Sequence, residues 1–197
     1  MKSTRTYIQS GRAESKVATR TRIVAAAKDL FLEKSFEDVT LAAIAKASGV
    51  SHQTVLNHFE SKTGVVLGVA ELLTEQTTGA RNQAKPGDID GAIAALIGEY
   101  EAMGDANVRW AMSADRFPDL ADAMDTARAL HQQWLATIFG ADLPSDDAAR
   151  EQMVHALHAA TDVYVWKLLR RDLRLSRADT EKTMTDLVAG VLKGPRT

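Results

Sequence analysis

Apolar residues recur at three- and four-residue spacing along nearly the whole chain, and no alternating β-branched run bounded by turn residues interrupts them. That periodicity confines the fold to the all-α class, with about nine helices expected. At 197 residues the chain has room for one ordinary core, or for a small domain beside a larger one. The absence of cysteine excludes disulfides, thiolate nucleophiles and zinc–thiolate sites, which suits a reducing cytoplasm. No apolar stretch approaches the roughly 20 residues of a membrane span, and the first 20 residues lack a signal peptide's apolar core, so no membrane association is expected.

The net charge of −2 conceals a division. Residues 1–64 hold ten Lys/Arg against six Asp/Glu, net +4, and residues 65–197 hold fourteen against twenty, net −6. Lys2, Arg5, Arg12, Lys16, Arg20, Arg22 and Lys28 meet a single acidic residue, Glu14, before Asp29. A basic arm of this kind either approaches phosphate or is a solvated, disordered tail.

Ile23, Ala26, Ala27, Leu30 and Phe31 predict a first helix from about Val17 to Lys34 with one buried stripe. Thr40 then caps a short helix that turns Leu41, Ile44 and Ala45 inward and stops near Ser48-Gly49, where glycine accepts the left-handed conformation. Ser51 caps a third helix, about His52 to His58. Its Val55 and Phe59 face the core, and His52, Gln53, Thr54 and Asn57 point elsewhere. Ser61 caps a fourth. Two short helices joined by Ala47-Ser48-Gly49-Val50-Ser51 form a helix-turn-helix pattern, whose second helix enters the DNA major groove while the first braces it across the backbone.

Beyond residue 64 the helices lengthen. Lys85-Pro86-Gly87-Asp88 breaks the chain, and the next stripe, from Ile89 to Met103, is expected to end at Gly104, with a shorter segment from Val108 to Ala114. Pro118 opens a helix that runs to Gly140. Ser145 is the expected cap of a long helix to about Asp172, apolar on more than one face, and Ser176 starts the last helix in a capping-box-like pattern.

Residues 21–66 resemble the DNA-binding domain of the tetracycline-repressor (TetR) family of transcriptional regulators. The matching residues are Thr21-Arg22-Ile23, Ala26-Ala27, Leu30-Phe31, Phe36, Thr40-Leu41, Ile44-Ala45, Gly49-Val50-Ser51, Thr54-Val55, His58-Phe59 and Ser61-Lys62. The resemblance implies a basic N-terminal arm at 1–20, a helix-turn-helix domain at 21–64 and a ligand-binding and dimerisation domain at 65–197. It also implies DNA contacts at Thr40, Ser51, His52, Gln53, Thr54, Asn57, His58 and Lys62, with the amides of Gln53 and Asn57 suited to base edges and Lys62 placed to hold a phosphate. His58 is read equally well as a packing residue beside Phe59.

Three positions depart from the family pattern. Leu56 stands where the family usually has a tyrosine that donates to the DNA backbone, Ser35 replaces a common glycine, and Gly64 stands where an acidic residue is frequent. Gly64 and Gly68 are expected to loosen the start of the fourth helix by roughly 1 kcal/mol each relative to alanine.

Seven of the eleven aromatics lie beyond residue 64. Tyr100, Met103, Trp110, Met112, Phe117, Met124, His131, Trp134, Tyr164 and Trp166 are candidate pocket residues, though ordinary core residues have the same character. The apolar surface of the last two helices fits pairing of two copies, with Leu157, Tyr164, Leu168, Leu187, Val188 and Val191 as interface candidates. His155, His158 and Asp162 share a helical face at metal-ligand spacing, but solvated or dimer-facing histidines are commoner, and neither metal nor cofactor is expected. Arg170, Arg171, Arg174 and Arg177 are expected in a solvated turn, and no residue set suggests a catalytic dyad or elbow.

The expected function is therefore that of a dimeric, ligand-responsive DNA-binding regulator rather than an enzyme. It would usually be a repressor, released from a palindromic operator by a small-molecule effector. The alternative is a helical small-molecule-binding or interaction protein with weakened DNA binding, which only Leu56 supports.

Overall fold

The computed structural model describes the backbone of residues 3–81 and 83–194, with side chains from residue 14 onward except at 74, 76–78, 80 and 119. The described residues are helical and contain no strand. They form two compact units, Met1–Leu73 and Thr74–Thr197.

The first unit is built from α1 (Ser3–Glu33), α2 (Leu41–Ser48), α3 (His52–Phe59) and the start of α4 (Lys62–Arg81). Its core follows the predicted stripes: Ile23, Ala27 and Phe31 of α1 close over Ile44 of α2, Val55 and Phe59 of α3, and Val65 and Val69 of α4. Phe31 and Phe36 stack with centroids 6.0 Å apart, fixing the chain as it leaves α1. Ser35 has no positive φ; its hydroxyl bonds the Asp38 carboxylate at 2.6 Å, so this turn works without the family's glycine. Helix α1 begins at Ser3 instead of Val17, so the segment expected as a flexible arm is a continuation of the helix. The stretch between Ser3 and Val17 has no proline to end the helix, although Gly11 and its serines and threonines are weak helix formers. The side chains of Lys2, Arg5 and Arg12 lie outside the described residues.

Gly64 and Gly68 play a different part from the softening expected of them. A Cβ at Gly64 would sit 2.0 Å from the Phe59 carbonyl oxygen, and one at Gly68 would sit 2.9 Å from the Phe59 ring. Both positions are bare because α4 starts pressed against the end of α3.

The second unit continues α4 and adds α5 (Ile89–Ser113), α6 (Pro118–Ile138), α7 (Asp147–Thr161), α8 (Val163–Lys167) and α9 (Arg177–Leu192). A 3-10 turn, Ala114–Arg116, precedes α6, and a π turn, Leu168–Asp172, follows α8. Helix α5 is the central element, packed on α6, α8 and α9. It buries Ile93, Leu96, Ile97 and Tyr100 against Leu135, Phe139, Leu157, Trp166, Met184 and Val188. No described helix is long and apolar enough to cross a membrane.

Three expectations for this unit are corrected. Helix α5 does not stop at Gly104 but runs through it to Ser113, because the glycine makes room for Trp166, whose ring would lie 2.4 Å from a Cβ there. The cap of α7 is Asp146, one residue past Ser145; its carboxylate accepts from the Ala149 amide at 2.9 Å. The single long helix to Asp172 is broken at Asp162, whose ψ of 149° ends α7 and whose side chain caps α8 by accepting from the Tyr164 amide at 2.8 Å. Two helices in place of one account for the apolar residues on several faces. Of the arginine run, Arg174 and Arg177 are exposed as expected, but Arg170 and Arg171 are not free in solvent. Arg170 grips Glu101 with a 2.6 Å bond and Arg171 pairs with Asp105 at 3.0 Å while lying over the Trp166 ring, so these two fasten the π turn to α5.

Candidate nucleic-acid interface

Helices α2 and α3 have only eight residues each, too short to persist alone, so their ends must be specified by side chains. Thr40 accepts from the Ala43 amide at 3.1 Å. Gly49 closes α2 in the left-handed conformation at φ 68°, its amide bonding back to Ala45 and Lys46. Ser51 accepts from the Thr54 amide at 3.0 Å and shares a 2.8 Å bond with the Thr54 hydroxyl. Ser61 does the same for α4 through the Gly64 amide at 3.0 Å. Caps and turn thus stand where the sequence places them, and they orient α3.

The outward face of α3 carries His52, Gln53 and Asn57, all exposed. The Gln53 amide nitrogen donates to the Asn57 side-chain oxygen at 3.0 Å, one helical turn apart. This bond pre-orients two amides side by side on the surface. Thr54 is half-buried and its hydroxyl is engaged with the Ser51 cap, so it stands at the edge of that face.

His58 is half-buried beside Phe59, ring centroids 6.2 Å apart. Burial, with help from the charges of Lys16 and Arg20, holds its pKa below the ordinary histidine value. The imidazole takes the packing role more than that of a charged phosphate contact.

Lys62 is a correction. Its ammonium donates to the carbonyl oxygens of Phe36 and Glu37 and lies 4.2 Å from the centroid of the Phe36 ring. Burial pushes its pKa down, opposed by the nearby Glu37 and Asp38 carboxylates. A lysine committed to these carbonyls braces the loop before α2 instead of reaching for phosphate.

Sequence reasoning also missed Arg20, which it assigned to the arm. Arg20 lies 4.5 Å over the Phe59 ring and pairs with Glu71 at 3.0 Å, tying α1 to α3 and α4. Its partners are 39 and 51 residues away, so no local signal marks them.

In the second unit the pocket candidates divide. Tyr100, Trp110 and Trp166 are buried core, Met103, Phe117, Met124 and Trp134 are half-buried, and Met112 is 66% exposed. His131 and Trp134 of these meet in a polar cluster, with rings stacked at 5.7 Å. Among the interface candidates, Leu157 and Val188 are 0% exposed within their own chain and are withdrawn, since their apolar surface is already spent. Tyr164, Leu168 and Leu187 are exposed and Val191 is half-buried. Of the metal-spaced residues, His155 is exposed and His158 pairs with Asp162 at 3.4 Å. Among the described residues no three His, Asp or Glu side chains converge as metal ligands would.

A capped helix pair around a left-handed glycine, with exposed amides on the second helix, defines a helix-turn-helix domain of the DNA-reading type. Residues 23–69 match the family model "Bacterial regulatory proteins, tetR family". A curated relative is the HTH-type transcriptional regulator AlkX of Mycobacterium tuberculosis, 34% identical over 62 residues, which cover 32% of this chain and 29% of AlkX. The sequence match thus spans less than a third of that relative's length. A solved transcriptional regulator from Rhodococcus sp. Rha1 has a TM-score of 0.71 at 20% identity, covering 89% of this chain and 96% of that one. A tetR-family regulator from Streptomyces coelicolor has a TM-score of 0.73 at 16% identity, covering 88% and 80%. At these identities the two structures establish a shared fold.

Proposed function

We propose that the chain is a cytoplasmic, ligand-responsive transcriptional regulator that binds a palindromic DNA operator as a homodimer, represses from it, and is released by a small molecule bound in the second unit. The observation that carries this is the Gln53–Asn57 amide pair, exposed on a capped α3 and bonded at 3.0 Å. An amide is the side chain suited to bidentate pairing with adenine, and each good contact of that kind discriminates by about 1–3 kcal/mol. Exposure of Tyr164, Leu168 and Leu187 supports pairing of two copies, because monomers rarely leave several large apolar side chains uncovered together.

Fluorescence-anisotropy titration of the DNA upstream of the coding sequence tests the proposal. Binding should be sequence-specific, and Gln53→Ala and Asn57→Ala should each reduce the ratio of specific to non-specific affinity more than tenfold while leaving the salt slope unchanged. An unchanged ratio in both variants, or no binding to any palindrome at low salt, refutes it. A monomer in sedimentation at micromolar concentration refutes the dimer.

A further inference from the structure

Arg81, in the last turn of α4, enters a buried polar cluster drawn from four helices. Its Nε donates to Glu99 of α5 at 2.8 Å, its terminal nitrogen meets Nδ1 of His131 on α6 at 3.1 Å, and its guanidinium lies 5.0 Å from the Trp134 ring centroid. His131 in turn places Nε2 2.8 Å from the hydroxyl of Thr161, the last residue of α7. Arg81 and Glu99 side chains are only 15% and 10% exposed, and Thr161 is fully buried.

The hydrogen positions in this chain of bonds follow from donor counting. The single proton of Thr161 goes to the Leu157 carbonyl at 2.7 Å, so the hydroxyl oxygen can only accept from His131. Nε2 therefore carries the ring proton. Nδ1 is left with a lone pair, and that lone pair faces the guanidinium and accepts from it. A neutral ring is required, and burial, with Arg81 and His158 adding to it against Asp162, lowers the His131 pKa to about 3. One tautomer and one charge state of His131 satisfy its bonds to both Arg81 and Thr161.

A buried ion pair of this kind seldom adds stability over well-packed apolar residues of the same size, whereas it can fix one arrangement among several. Helix α4 runs from the Ser61 cap in the first unit to Arg81 in the second. We propose that Arg81 is a positioning residue: through Glu99 and the Nε2-protonated His131 it locks the last turn of α4 onto α5 and α6, and that lock sets the resting affinity of the helix-turn-helix unit for DNA. The second half of this statement rests on the DNA-binding function proposed above; the first does not.

Amide hydrogen exchange of the full-length protein separates positioning from simple support. In Arg81→Met/Glu99→Met, which removes both charges together, exchange at Gly79 and Arg81 or its replacement should rise about tenfold, the scale of losing a charged hydrogen bond. Exchange in α5 and α9 and the urea midpoint should stay near wild type. His131→Phe should loosen the same amides, whereas His131→Asn, which keeps an acceptor near the position of Nδ1, should restore most of their protection. Unchanged exchange at the end of α4, or an equal rise throughout the bundle, overturns the lock. Operator affinity in the same variants should shift at least threefold; unchanged affinity with loosened amides overturns the link to DNA. A wild-type protein that binds no DNA would refute the proposed function while the exchange data still decide the lock.

Discussion

The helix ends of the helix-turn-helix unit are set by side-chain bonds between near neighbours, whereas the centre of the bundle is tied by bonds between residues far apart in the chain. In the first, Thr40 to Ala43, Ser51 to Thr54, Gln53 to Asn57 and Ser61 to Gly64 are joined across three or four residues. In the second, Arg81 and His131 are 50 residues apart, Tyr100 and Thr161 are 61, and Glu101 and Arg170 are 69. Local bonds shape a helix end and leave the outward face available to a partner. Long-range bonds consume their polar groups inside the fold and determine which helix lies against which. The amides that would read DNA are exposed, and the Arg81, Glu99 and His131 side chains at the bundle's centre are largely buried and paired.

Acid should act on the bundle chiefly through His131, and this is the largest expected effect. His131 titrates near 6.5 when unfolded and is pushed down to about 3 in the fold. Below pH 6.5 the unfolded chain binds a proton that the folded chain refuses, so stability is complete above that pH and falls as the pH drops toward 3. The slope for one proton is about 1.4 kcal/mol per pH unit. Urea denaturation of the bundle at pH 7, 5.5 and 4.5 should show this slope in the wild type and lose it in His131→Phe. An equally steep variant would place the acid sensitivity elsewhere.

Gly64→Ala probes the opposite unit. The added methyl would stand 2.0 Å from the Phe59 carbonyl oxygen, and the obstacle is backbone that cannot swing aside as a side chain would. A loss of about 3 kcal/mol is expected, at the upper end of ordinary single substitutions. It should appear in the unfolding of the first unit, with the bundle's transition unmoved. A stabilising outcome would restore the view that glycine only softens the helix.

What the sequence reveals divides along the same line. The caps, the left-handed Gly49 and the outward amides could all be read because each depends on residues within a turn or two of itself. The interruption at Asp162 could not be read. Its neighbours keep helical spacing, and only the side chain's return to the Tyr164 amide shows that one helix ends and another begins. Gly104 has the composition signal of a helix end but serves as a seat for Trp166, a residue 62 positions away. Lys62 and Arg20 were misread for the same reason, since a surface lysine and a carbonyl-bound lysine have the same sequence signature. The resemblance pointed to α3 but could not show which of its neighbours' side chains were already engaged within the fold.

A smaller effect tests whether the local bonds of the first unit matter individually. Ser51→Ala removes the acceptor for the Thr54 amide and the partner of its hydroxyl. Loss of an N-cap of this type costs about 1 kcal/mol. The melting of the first unit should fall by that amount, and operator binding should weaken with it because α3 frays from the end that carries Gln53.

The smallest expected effect is a gain. Leu56 is half-buried on α3, one residue before exposed Asn57, where the family usually carries a tyrosine that donates to the DNA backbone. Leu56→Tyr supplies a neutral hydroxyl able to bond one phosphate oxygen, worth about 1 kcal/mol net, or roughly fivefold in affinity. The gain should be uniform across DNA sequences, since a phosphate contact positions without reading bases. It should also leave the salt slope untouched, because no cation is added and no further counterion is released. Anisotropy titrations of one operator and one scrambled duplex at two salt concentrations distinguish these outcomes. A gain confined to the operator would mean that residue 56 adjusts how Asn57 meets a base, and the outward face of α3 would then extend one residue further than its exposed amides indicate.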